Sequence, residues 1–140
     1  MGSCFLEIYI KYNKFVVATT YLYLMNYTSL FEEKIYLSIK NRIHNLSKDA
    51  THISNKMTVN QMLVHCQEPL LLSLEDTELI IPETDDFDEL KNFLIELVEL
   101  FYQQPRKKRW KHPTFGEFSS ERWGHSQFKH LDHHFNEFNA

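Results

Sequence analysis

From residue 29 onward, apolar residues return every third or fourth position, the spacing of one face of an α-helix. Four such stretches can be marked out. In the first, Phe31, Ile35, Ile39, Ile43 and Leu46 form the stripe, Lys34, Lys40 and Arg42 fill polar positions, and Ser29 is placed to cap the start. Ser47-Lys48-Asp49 ends it. The second opens on Thr58-Val59-Asn60-Gln61, a capping box, and its stripe is Val59, Met62, Leu63, Cys66 and Leu70. Pro69 falls inside this stretch and cannot donate to the carbonyl of His65, so the helix is expected to kink beside that histidine or to end early. Pro82 and the acidic residues 83–86 form a connection. The third helix begins near Asp86, with Leu90, Leu94, Leu97, Val98 and Phe101 at core positions and Phe93 and Leu100 widening the face. Gln103-Gln104-Pro105 stops it. A basic loop, residues 106–111, leads through His112-Pro113-Thr114-Phe115-Gly116 to a fourth helix, capped by Ser119 or Ser120 and running to about Phe138.

Residues 1–28 break this pattern. They are rich in Tyr, Phe, Ile, Val and Thr without a helical period, and are expected to be an irregular or non-native extension, with Met25 a candidate for the natural start; a functional N-terminal strand is the alternative. The domain proper is therefore residues 29–140. The fold class expected is all-α, a four-helix bundle.

Composition narrows the function classes. A chain of 140 residues, 43% hydrophobic and 24% charged, describes one soluble domain with a real core. Its net charge of −4 gives no general case for nucleic-acid binding. The basic loop with Trp110 is read as a solvated connection, or as a device that steers an anionic thiol towards a site. The apolar run at residues 15–25 is too short to span a bilayer, and the charges Glu7, Lys11 and Lys14 argue against a signal peptide. Leu6 stands where a myristoylation motif wants Ser or Thr. Two cysteines, Cys4 and Cys66, make no disulfide framework and fit a reducing cytoplasm. No membrane partner is expected; a homodimer through bundle faces is compatible with the pattern.

The candidate chemistry lies in the last helix. His130 and His134 are four residues apart, so their rings stack on one face and can grip a single divalent ion. With 8 histidines in the chain, that spacing alone is a weak signal. Its weight comes from the face: at about 100° per residue, Trp123, Gln127, His130, Leu131, His134 and Phe138 align, so the pair points inward. Buried imidazole nitrogens must be hydrogen-bonded or ligated. His65, at the edge of the second stripe beside Met62, is the natural third ligand. Three neutral imidazoles with an open position make the kind of centre in which zinc activates water, and they serve other divalent metals as well. The alternative is a satisfied histidine core. Cys66 reads as a small core residue, His125 as solvated, His133 as half-exposed, and Asp132 as pointing away from the centre.

The segments Lys56-Met57-Thr58-Val59-Asn60-Gln61-Met62-Leu63-Val64-His65-Cys66 and His112-Pro113-Thr114-Phe115-Gly116…Trp123-Gly124…Lys129-His130-Leu131-Asp132-His133-His134 resemble a bacterial family of the DinB/YfiT-like superfamily, over about residues 29 to 140. The resemblance implies a four-helix bundle of up-down-down-up connectivity. It also implies a divalent ion (zinc, nickel, iron and manganese are not distinguished) held by His65, His130 and His134. Relatives in that superfamily include metal-dependent enzymes using low-molecular-weight thiols such as bacillithiol or mycothiol. The expected function is thus metal-dependent thiol transfer in detoxification, acting on a small-molecule substrate. A metal-dependent hydrolase, or a non-catalytic metal- or ligand-binding stress protein, is the alternative. Three departures stand out. The second helix and its connection look short, Glu137 stands where relatives often have Gln, and Asn139 replaces a helix-ending Gly. Glu137, one turn from His134, is placed to be an acceptor behind a ligand.

Overall fold

The computed structural model describes residues 28–112 and 116–140; the expectations for residues 1–27 lie outside that range. Among the described residues there are four helices, α1 (Glu33–Asn45), α2 (Val59–Ser73), α3 (Phe87–Tyr102) and α4 (Ser120–Glu137). Two short strands, β1 (Arg109–His112) and β2 (Gly116–Ser119), sit between α3 and α4. The described residues are mostly helical, as the periodicity predicts.

Three of the helices start where their sequence signals lie. Thr58 accepts from the Gln61 backbone N–H while the Gln61 side chain returns to the Thr58 N–H, closing the capping box of α2. Asp86 caps α3 by accepting from Glu89, and Ser119 caps α4 by accepting from Arg122. The first helix differs. Ser29 caps a separate turn, accepting from the Phe31 N–H, while the Glu32 carboxylate accepts from the Ser29 N–H. The helix begins one turn later, with Glu32 at its N-cap position and no side-chain bond there. Pro69 does not end α2, which continues to Ser73. The missing N–H at Pro69 leaves the His65 carbonyl without its usual donor from four residues on.

Side-chain contacts set the relative directions of the helices. The Leu30 N–H donates to the Gly124 carbonyl at 3.0 Å, tying the approach to α1 to the first part of α4. Arg42, late in α1, donates to Asp132 at 2.7 Å and to Asn136 at 2.8 Å, late in α4. These two helices therefore run the same way. Tyr36 of α1 stacks on Tyr102 at the end of α3 with 4.0 Å between ring centroids, and Lys91 near the start of α3 donates to the His44 carbonyl at 2.8 Å. Thus α3 opposes α1. Gln127 of α4 donates to the Pro69 carbonyl of α2 at 2.8 Å, while His130 faces His65, so α2 opposes α4. With α1 and α4 pointing one way and α2 and α3 the other, the α2–α3 connection must travel back along the bundle. It does so as an extended segment that leaves Ile80 94% exposed.

The buried interior runs through all four helices, with Ile39, Ile43, Met62, Leu63, Leu70, Leu94, Leu97, Phe101, Leu131 and Phe135 almost wholly removed from solvent. All of these but Phe135 belong to the stripes read from the sequence, which is why the periodicity predicts most of the core.

The basic segment is not simply a loop. Its last residues pair as an antiparallel hairpin, Arg109 opposite Ser119 and Lys111 opposite Glu117. Most of the cations have structural partners. Arg106 lies over the Phe31 ring at 4.1 Å and donates to the Tyr102 carbonyl, Lys108 pairs with Asp76 at 3.6 Å, and Arg109 pairs with Glu117. Phe118 meets Trp123 edge-on at 5.3 Å, docking the hairpin on the first part of α4.

Gly124 is where α4 touches the turn before α1. A Cβ there would fall 2.2 Å from Ser29 Oγ and 2.7 Å from the Phe31 ring. Alanine within a helix normally stabilises by about 1 kcal/mol over glycine. Here overpacking opposes it, and Gly124→Ala is expected to destabilise by about 1–3 kcal/mol in urea unfolding. A gain in stability would show that the turn is not held against α4.

Candidate metal centre

Helices α2 and α4 run antiparallel with Gln127 clamped to the Pro69 carbonyl, and the next turn of each helix brings histidines face to face. His65 Nε2 lies 3.1 Å from His130 Nε2. The His134 ring completes a triangle, with centroids 4.6 Å from His65 and 4.7 Å from His130. One ligating atom from each of the three residues lies within 4.8 Å of the others. His130 and His134 are 7% and 8% exposed, and the His65 side chain is 29% exposed. The three residues singled out in the sequence therefore do come together, inside the bundle, from two separate helices.

Two imidazole nitrogens 3.1 Å apart need something between them, because bare lone pairs repel. A shared proton and a shared cation both answer that need. Two nitrogens each about 2.05 Å from one tetrahedral ion lie about 3.3 Å apart, close to the observed spacing. The donor set, three imidazoles from two helices, fits a divalent metal ion. Nitrogen ligands alone do not choose among zinc, nickel, iron and manganese.

The electrostatics favour neutral rings. Burial, reinforced by the neighbouring His134, His65 and His133 rings, pushes His130 down to about 3. Burial also lowers His134, aided by His65 and His133 and opposed by Glu137. Neutral imidazole is the form that ligates.

Behind the rings stand two carboxylates. Glu137 Oε1 lies 3.0 Å from His134 Nδ1 and 3.3 Å from His133 Nε2, while its Oε2 lies 2.7 Å from His52 Nε2. Burial draws the Glu137 carboxyl upward, but the His52 hydrogen bond and the surrounding imidazoles outweigh it, and the group sits below its ordinary value. Glu68 approaches His65 Nδ1 at 3.7 Å, beyond hydrogen-bond length. A groove of about 320 Å³, bounded among others by Asn60, Val64, Glu68, Thr84 and Asp85, reaches His65 from outside.

Other sequence expectations fall out as follows. Asp132 is turned to Arg42 and takes no part in the centre. Cys66 is fully buried, donates to Met62 Sδ, and has its thiol pushed upward by burial, so it is a core residue and not a nucleophile. His125 is not simply solvated: it is half-buried, with Nδ1 2.9 Å from the Thr28 carbonyl oxygen. His133 is exposed. The hairpin is far from the histidines. Ser120 is bonded to the Lys108 carbonyl, and the rise along α4 from there to His130 and His134 is about 15–21 Å. Charges that far off are screened by salt over about 8 Å, so the basic run is not placed to steer an anion into this centre.

Periodicity did not reveal His52 or Glu68. His52 lies in the α1–α2 connection, where no repeat marks which side faces inward, yet it is 5% exposed. Glu68 has the ordinary look of a helix-surface acid; only its place three residues after His65 marks it.

Among the described residues, no helix is long and apolar enough to cross a membrane. Comparison with protein-family models, with curated proteins and with solved structures finds no match to this chain.

The depressed basicity of His130 makes a pH prediction. Unfolded, the ring takes up a proton as pH falls through about 6.5; folded, it refuses one until about 3. Stability is therefore complete above the unfolded value and drains away as pH drops through that window, by a few kcal/mol. Glu137, with its lowered folded value, adds a loss of the same sign further into acid. Urea unfolding of chelator-treated protein across this range checks it. A stability flat from neutral into mild acid would contradict the buried neutral ring.

Proposed function

We propose that this chain is a divalent-metal-dependent enzyme of the DinB/YfiT-like kind, with His65, His130 and His134 as ligands and one coordination position left for a substrate. The observation that carries the reading is the convergence of three imidazoles from α2 and α4 on one buried point. Two further features support it. The helix directions follow the up-down-down-up order that the sequence resemblance implies. Glu137 Oε1, 3.0 Å from His134 Nδ1, is placed to accept a hydrogen bond from it, the arrangement commonly found behind a metal-bound histidine.

The activity proposed is thiol transfer to an electrophilic small molecule, a detoxification reaction. A bound divalent ion would lower the pKa of a thiol and hold it as a thiolate. His65, His130 and His134 would hold the ion, their rings kept neutral by burial, while the apolar bundle covers the buried side. Among the described residues, the chain offers no reactive thiol of its own, because Cys66 is sealed in the core. The nucleophile of this reading is a separate low-molecular-weight thiol. The groove beside His65 supplies a way in from solvent.

Elemental analysis of protein purified without a histidine tag is expected to give about one divalent ion per chain, lost in His65→Ala and His134→Ala variants that keep their helical circular dichroism. Given metal, turnover of an electrophile only with added thiol supports the transferase. Hydrolysis of esters or amides without thiol identifies a hydrolase, and metal binding with no turnover a binding protein. Absence of metal uptake by the wild type overturns the reading.

A further inference from the structure

The two oxygens of Glu137 face different imidazoles, and the chemistry of those contacts determines where the protons sit. The Ser54 backbone N–H donates to His52 Nδ1 at 2.9 Å. A ring nitrogen that accepts a hydrogen bond carries no proton, so the proton of His52 is on Nε2. That Nε2–H donates to Glu137 Oε2 at 2.7 Å. The other oxygen, Oε1, is then an acceptor for His134 Nδ1 at 3.0 Å. A carboxylate can accept on both sides at once. A primary amide cannot, since it would turn an NH₂ towards one of the two N–H groups.

We propose that Glu137 and His52 are positioning residues for the metal centre: a chain of hydrogen bonds from the Ser54 N–H through both side chains holds His134 as its Nδ1–H tautomer and leaves Nε2 bare for the ion. This rests on the reading of His134 as a ligand. The geometry behind it is built in. The His52 ring meets Phe138 edge-on at 5.4 Å. The Ile53 N–H donates to the Glu137 carbonyl at 2.9 Å, and Thr51 pairs with Thr58 across the base of the loop. The connection between α1 and α2 therefore fixes the far end of the chain, and the ligand on α4 is aligned by a loop that does not itself touch the centre. Among the described residues, His133 Nε2 also approaches the same Oε1, at 3.3 Å. Its ring is exposed and it is not needed for the alignment.

Imidazole two-bond proton–nitrogen spectra of the nitrogen-15-labelled full chain, chelator-treated and at neutral pH, read the tautomers directly. His134 is expected as Nδ1–H and His52 as Nε2–H in the wild type. Glu137→Gln and His52→Ala are each expected to shift His134 towards the Nε2–H form, and His133→Ala to leave it unchanged. Zinc affinity, measured against a competing chelator, is expected to fall about 10–100-fold in Glu137→Gln and about 10-fold in His52→Ala. A wild-type His134 protonated on Nε2 overturns the proposal without reference to any variant. So does a His134 tautomer indifferent to both substitutions, or a zinc affinity that neither alters. A wild type that binds no zinc sinks the ligand reading instead, and the tautomers then judge the hydrogen-bond chain by themselves.

Discussion

Three imidazoles brought together at the edge of an apolar core, two of them buried, cannot all be charged, and their nitrogens cannot face one another unoccupied. This constraint shapes the rest of the structure. It demands that α2 and α4 run antiparallel and in one register, so that His65 stands opposite His130 at 3.1 Å. The register has a visible clamp one turn away, where the Gln127 amide, 2% exposed, donates to the Pro69 carbonyl. Pro69 lies inside α2 and adjoins both features: its carbonyl receives Gln127, and its missing N–H leaves the His65 carbonyl without the usual helical donor. A residue that would ordinarily be a defect thus lies at the seam between core packing and the centre.

Charge is distributed to match. The cations of the hairpin region are engaged with aromatic faces, carbonyls and carboxylates at the end of the bundle near the start of α4. The histidine centre is backed instead by Glu137 on one side and flanked by Glu68 on the other. Carboxylates behind neutral imidazoles increase the electron density available to a bound ion while leaving the ligands themselves uncharged. Among the described residues, the groove beside His65 is lined by two acids, Glu68 and Asp85, and by no lysine or arginine. An anionic thiol would have to rely on the ion itself for attraction.

How much of this could be read from the chain depended on whether a residue lies on a periodic element. The stripes of α2, α3 and α4 identify Met62, Leu63, Leu94, Leu97 and Leu131 as core, and the same arithmetic turns His130 and His134 inward. Capping chemistry places the starts of α2, α3 and α4 closely, because a cap is a local contract between residues two or three apart. Ser29 misled because it caps an isolated turn, whose local bonds are the same as those of a helix start. The hairpin was hidden by its charge: Arg109, Lys111 and Glu117 alternate along short strands with little apolar signal. His52 could not be found at all, since its burial is decided by tertiary contacts with Phe138 and Glu137 far along the chain.

The most direct test of the central claim is diffraction from crystals of untagged protein at the absorption edge of the metal it carries from expression. The account predicts one anomalous peak about 2.0–2.2 Å from His65 Nε2, His130 Nε2 and His134 Nε2 together. A peak held by His133 and Glu137 instead, or a proton-only hydrogen bond between His65 and His130 in protein saturated with divalent metal, would contradict it.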